Sequence, residues 1–447
     1  MSAVDILAAT RRVVGHGPDV AETVRTTPRE VPAGVKTFGM VGMAIGLASL
    51  GYGLYTESHR TLGALLVCIV YFMAVAQGGV MFAVVQTITL GRWGRPFKRI
   101  AESFWFFMPI NYAIWIVFLI AGGLDLYPWT HEEMPAHKAV WLQPGFFIAR
   151  QVVMLGILMA LDFFFIRNSL RADMGVAAET LGSRAPAFWA NFTTGWRGRD
   201  AEVEDTYQKN IRLAPVIVVL YAIFFSLFAV DAVMSLAPHW YANMFPGWQF
   251  VSSFWLALNW ICIISVSFRS WLRIEHLAAP ARYHDLGKLM FALCVFWTYN
   301  LFAHILPIWY GNMPEETWYL ILRMYMEPWS GLAKVVGAMC FLIPFTVLLS
   351  RGIKKTPNAL IAIAIVIAIG VWLERFILIM PQVWMRDSLP LGPVEIGLAV
   401  GYAAAFVTVV ANVLARVPAV PVSDPFMNAH PDDIHVHAVS HGGGHGH

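Results

Sequence analysis

The chain has 447 residues, 58% of them hydrophobic and 13% charged, with a mean hydropathy of +0.60 and a net charge of +3. Soluble domains carry roughly 25% charged residues, so this composition excludes a soluble enzyme and points to an all-α polytopic membrane protein. So small a positive excess gives no reason to expect a nucleic-acid partner.

Residues 1–35 are polar, with Arg11, Arg12, Arg25 and Arg29, and read as a cytoplasmic N-terminal arm. The opening MSAVDILAATRRVVGHGPDV holds no continuous apolar run, so no cleavable signal peptide is expected there. Within 36–414, apolar spans follow at about 37–54, 62–90, 102–123, 145–167, 213–236, 250–270, 286–309, 327–349, 359–380 and 393–414. Each is near or above the roughly 20 residues needed to cross a bilayer core, which predicts ten transmembrane helices. The first is short and glycine-rich, and the second and seventh are long enough to tilt or to extend past the membrane.

The basic residues test that number. With the N-terminus inside, 24 of the 31 Lys and Arg fall in inside segments and 4 in outside loops, while Arg150, Lys334 and Arg375 lie within spans. This asymmetry supports an even helix count with both termini in the cytoplasm, and one span more or fewer would spoil it. The longest connection, 168–212, is cytoplasmic and basic, with Trp189, Trp196, Arg197 and Arg199, and is expected to lie on the membrane surface or dock a partner. The longest outside loop, about 124–144, is too small for a domain. Residues 415–447 turn Pro-rich and then His-rich (His430, His435, His437, His441, His445, His447) and are expected to be disordered, without the fixed spacing of a metal site. Cys68, Cys262, Cys294 and Cys340 all sit in apolar runs without a CxxC pair, which fits neither an iron–sulfur cluster nor a disulfide framework.

An ionisable side chain at a helix centre costs roughly 2.5–3.5 kcal/mol on insertion scales, so each one inside a span requires a reason. Toward the outer side lie Arg150, Asp231, His304, Lys334, Glu374, Arg375 and Glu395; toward the cytoplasmic side lie Glu102, Asp162, His284, Asp285 and Lys288. Asn111, Asn259 and Gln77 fall nearer the middle. Two polar groupings with a thinner middle suit proton half-channels from each face. Ordinary ion pairing satisfies the same residues, because Arg150, Lys334 and Arg375 balance Asp231, Glu374 and Glu395. His304, one helical turn from Asn300, can shuttle protons or hydrogen-bond a quinone carbonyl, or can be a packed core residue. Glu374 and Arg375 are adjacent, about 100° apart on a helix, and are expected to face different neighbours. Asp285 and Lys288, at i and i+3, suit a local salt bridge. Only His304 stands where an intramembrane haem ligand could, and no CxxCH or phosphate-binding loop is present, so electrons would have to travel on cofactors held by other subunits.

Three motifs carry a resemblance: Asp231-Ala-Val-Met-Ser-Leu236 with Pro238-His-Trp-Tyr-Ala-Asn-Met-Phe-Pro-Gly-Trp248, Tyr283-His-Asp-Leu-Gly-Lys288, and Ile308-Trp-Tyr-Gly-Asn-Met-Pro-Glu-Glu-Thr317. With the helix count, they resemble the NrfD/PsrC family of quinone-interacting membrane subunits, and within it the ActF-type subunits of bacterial alternative complex III. The resemblance implies two four-helix bundles, helices two to five and six to nine, with an outer helix at each end. It implies a multi-pass subunit of the bacterial cytoplasmic membrane that binds no cofactor itself and works in a quinol:electron-acceptor oxidoreductase. The expected partners are an ActC-like sister subunit, an iron–sulfur subunit, c-type cytochrome subunits, membrane lipids and a terminal oxidase. Haem c and iron–sulfur clusters would sit in those partners, and quinol or menaquinol would be the substrate of the complex. The role expected of this chain is scaffold and proton path, with Asp231, His304, Lys334, Glu374, Arg375, Arg150, Asp162, Asp285, His284 and Asn300 as candidates. Direct quinol binding near His304 and Asp231 is the alternative within the same complex. A secondary transporter of two five-helix repeats is a third reading, although the prolines at 109, 215, 307 and 344 form no matched pair.

Overall fold

The computed structural model describes residues 24–424 and 427, and among them there are helices and no strands. Among the described residues, ten helices are long and apolar enough to cross a membrane: α1 Ala33–Thr56, α2 Ser58–Ile88, α3 Arg95–Ile120, α4 Pro144–Arg184, α5 Arg199–Leu236, α6 Phe245–Leu272, α7 Pro280–Gly311, α8 Trp329–Leu348, α9 Pro357–Val383 and α10 Pro393–Arg416. The chain is a multi-pass helical membrane protein. Pro144, Pro280, Pro357 and Pro393 open α4, α7, α9 and α10, at positions where a missing N–H leaves no helical hydrogen bond unmade. Pro109 in α3 follows a tight 3₁₀ turn over Phe104–Phe107, and α8 carries a π-bulge over Ala338–Leu342.

Helices α2–α5 pack together, as do α6–α9, with α2, α6 and α9 against one another at the centre. The most apolar stretch of α2 is 94% buried inside the protein and that of α1 is 11% buried, so α2 is a core helix and α1 a peripheral one. Being apolar all round suits α2 to that position. Helix α1 lies along α10, where Gly42 and Gly46 meet Ala404 and Gly401. A Cβ on Gly46 would stand 2.6 Å from the Gly401 Cα, so the two backbones touch as in small-residue membrane contacts.

One end of the bundle gathers the basic connections. There Arg29 donates to the Trp271 carbonyl, Trp189 to the Arg416 carbonyl, and Arg95 to Asp424. We refer to it as the basic end. At the opposite end Arg60 pairs with Glu395, and Lys138 reaches the Pro238 carbonyl.

Two sequence expectations change. The segment 168–212 is mostly helix, because α4 and α5 continue beyond their apolar parts, and the link between them is short. Arg171 and Arg197 both bind Glu202, Trp189 is buried, and Trp196 packs against Gly175, so these groups hold the two extensions together, while Arg197 and Arg199 remain exposed. The start of the supposedly disordered tail is packed: Val417, Ala419, Val420 and Val422 are buried at the basic end. The N-terminal residues 1–23 and the His-rich part of the tail from 428 on lie outside the described residues.

Candidate functional site

The anchor is α7. Trp297, Leu301, His304 and Ile308 recur on one face of it at helical spacing, and that face turns inward. His304 is 4% exposed and its Nδ1 has no hydrogen-bond partner. The rings of Trp240, Phe245 and Trp248 surround it, at centroid distances of 5.4, 6.4 and 6.1 Å. Beside it lies a cavity of about 210 Å³, walled almost wholly by apolar side chains of α6–α9 and of the short helix Pro314–Met324.

The short helix roofs this cavity. Tyr319 stacks on Trp240 at 3.6 Å with the two rings nearly parallel, and Arg323 lies over the Tyr319 ring at 3.4 Å. Arg323 donates to the carbonyls of Tyr319, Ile377 and Leu378, which ties the roof to α9. Burial lowers the Arg323 guanidinium from its ordinary value and raises the Tyr319 phenol, as removal from water does to any group whose charged form loses hydration.

The wall formed by α9 supplies Glu374. Its Oε2 accepts from Ser252 Oγ at 3.1 Å and Trp297 Nε1 at 3.2 Å, and its Oε1 from Arg375 Nη1 at 2.6 Å. Arg375 also donates to Ser252 Oγ at 3.0 Å. Glu374 and Arg375 therefore meet directly, contrary to the expectation from their spacing, because the long guanidinium arm folds back along the helix. The cavity thus offers an apolar, aromatic-lined space with one ring nitrogen without a partner and one carboxylate held by three donors.

The other candidates lie elsewhere. Asp231, on α5, forms a two-pronged pair with Arg150 at 2.9 Å on each arm, and also accepts from Gln151 and Trp141. It belongs to the other bundle and does not line the His304 cavity, so the two residues do not share a site. Asn300 is buried but bonds its own helix at the Phe296 carbonyl. Lys334 is exposed on α8 and meets neither Glu374 nor Glu395; Glu395 takes Arg60 as its partner. Asp285 and Lys288 form the local pair at 2.7 Å, with His284 half-buried beside them.

Asp162, on α4, is fully buried; neither oxygen makes a hydrogen bond of normal geometry, and Gln77 of α2 is the polar side chain that influences it. Sequence reading missed Trp240, Trp248, Ser252, Tyr319 and Arg323. The seven-residue spacing of Trp297 and His304 was a usable signal for the aromatic wall, whereas the neighbouring Trp309 and Tyr310 are 71% and 81% exposed and take no part in it. No family model and no curated protein matches the chain. What the structure shows is a helical protein with, among the described residues, ten helices able to span a membrane, and an apolar cavity with a histidine and a carboxylate on its walls.

Proposed function

We propose that the chain is an integral membrane subunit of a quinol:electron-acceptor oxidoreductase of the alternative complex III kind, in a bacterial cytoplasmic membrane, serving as scaffold and proton path. The direct quinol-binding role belongs to the His304 cavity, without Asp231. The observation that carries this reading is the cavity itself. An apolar void of roughly 150 Å³ accommodates a benzene molecule, so about 210 Å³ accommodates a substituted ring. Leu301, Ile305, Leu320 and Ala333 on its walls are only partly buried, which leaves a way out for an isoprenoid tail toward lipid.

His304 Nδ1 would accept one quinol O–H, and Glu374 lies within the same cavity to receive a proton. Oxidation of one quinol releases two electrons and two protons. The electrons would pass to iron–sulfur and c-haem partner subunits, and the protons to His304 and Glu374. Asp162, a buried carboxyl without a cationic partner, is the matching proton-carrying group in the other bundle.

Purification in mild detergent tests the assignment. The chain is expected to co-elute with subunits rich in haem c and iron, and His304→Ala is expected to raise the apparent quinol KM of that complex about tenfold or more, the loss of one hydrogen bond to a charged or polar partner. A chain that elutes alone and colourless would remove the redox reading.

A further inference from the structure

We propose that Gln77 is the positioning residue that serves Asp162 in both of its protonation states, accepting from the carboxylic acid and donating to the carboxylate across the centre of the α2–α5 bundle. The proposal rests on the proton-path part of the function above. In that bundle each helix packs on its neighbours in the chain and α5 closes on α2, so α2 and α4 stand opposite each other. Gln77 of α2 and Asp162 of α4 are both fully buried. Met73 and Met81 flank Gln77 one turn to either side, and Leu158 and Phe165 flank Asp162 likewise, so each polar group is set in an apolar stripe of its own helix. Neither Asp162 oxygen and neither Gln77 amide atom is committed to a hydrogen bond, and Gln77 is near enough to act on the carboxyl.

Buried polar side chains are hydrogen-bonded in the large majority of cases, so two uncommitted ones of complementary chemistry, side by side in an apolar core, point to each other. The complementarity is specific. A carboxylic acid has an O–H to donate, whereas a carboxylate has only lone pairs, so a lysine or arginine would serve the second form alone. A primary amide serves both, the acid through Oε1 and the carboxylate through Nε2. Turning the amide over exchanges the two atoms. The last torsion of glutamine is broad, and Gln77 has no other hydrogen bond to break in turning. Asp231 and Glu374 make the contrast, since each is tied to an arginine. The rival partner is the Tyr221 hydroxyl of α5, which is buried, uncommitted and within electrostatic reach of Asp162 and of Arg375.

The test uses the full chain in lipid nanodiscs and the infrared C=O stretch of protonated carboxyls. The band that disappears in Asp162→Asn belongs to Asp162. Gln77→Met keeps the length of the side chain and removes both amide atoms, and is expected to move that band to higher frequency, as an acid that loses its hydrogen-bond acceptor does. Asn300→Leu, in the other bundle, is expected to leave the band in place. In the assembled oxidoreductase, Gln77→Met is expected to lower quinol turnover several-fold with the quinol KM unchanged. A band unmoved in Gln77→Met, or moved by Tyr221→Phe instead, would overturn Gln77 as the partner and leave Asp162 standing as a proton carrier. A moved band with unchanged turnover would overturn the part given to Gln77 in proton transfer. Absence of any Asp162 band at every pH would remove the proton carrier itself.

Discussion

Arg150 and Asp231 are separated by 81 positions and meet through two hydrogen bonds of 2.9 Å, with the guanidinium also 3.8 Å from the centre of the Trp141 ring. Removing one partner of such a buried pair leaves an uncompensated charge and costs about 3–5 kcal/mol. Arg150→Ala should therefore lower the thermal unfolding midpoint in detergent sharply, and the double replacement Arg150→Leu with Asp231→Leu should recover much of the loss. If the double variant is no better than the single, the pair is not the cause. The charge balance on this side was legible from residue counts, but the choice of partners was not. Lys334 turned outward, and Glu395 found Arg60, 335 positions away. Such matches depend on the rotation of each helix about its axis, which no local pattern reports.

At the level of elements, the contact of α1 with α10 is set by glycine. Gly42 and Gly46 on one helix and Gly397 and Gly401 on the other repeat at four-residue intervals, and a Cβ at Gly401 would come 2.5 Å from the Gly46 Cα. Gly46→Leu should destabilise the protein by about 1–3 kcal/mol, the usual cost of overpacking, and should loosen α1 as read by protease sensitivity. Gly51→Leu on the same helix meets nothing within 4 Å and should leave both readouts unchanged. Composition located α1 even though it is short and glycine-rich; why it is glycine-rich became plain only against α10. The extensions of α4 and α5 were hidden for the opposite reason. Their sequences are polar enough to pass for a loop, and only the bonds from Arg171 and Arg197 to Glu202 show what keeps them helical.

For the whole molecule, the uneven distribution of Lys and Arg predicts that the basic end faces the cytoplasm. The four native cysteines are buried, so introduced ones can report orientation. A membrane-impermeant thiol reagent on intact cells should label Glu315→Cys and should reach Ser183→Cys only after permeabilisation; the reverse pattern would invert the topology. Span length, apolarity and charge bias are sums over neighbouring residues, so the sequence by itself determined the helical class, the ten crossings and the expected sidedness. The cavity at His304, the meeting of Glu374 with Arg375 and the separation of Asp231 from His304 were decided by tertiary structure alone. The cavity and the separation depend on how different helices turn and pack, and the Glu374–Arg375 contact on how a long side chain folds back along its own helix.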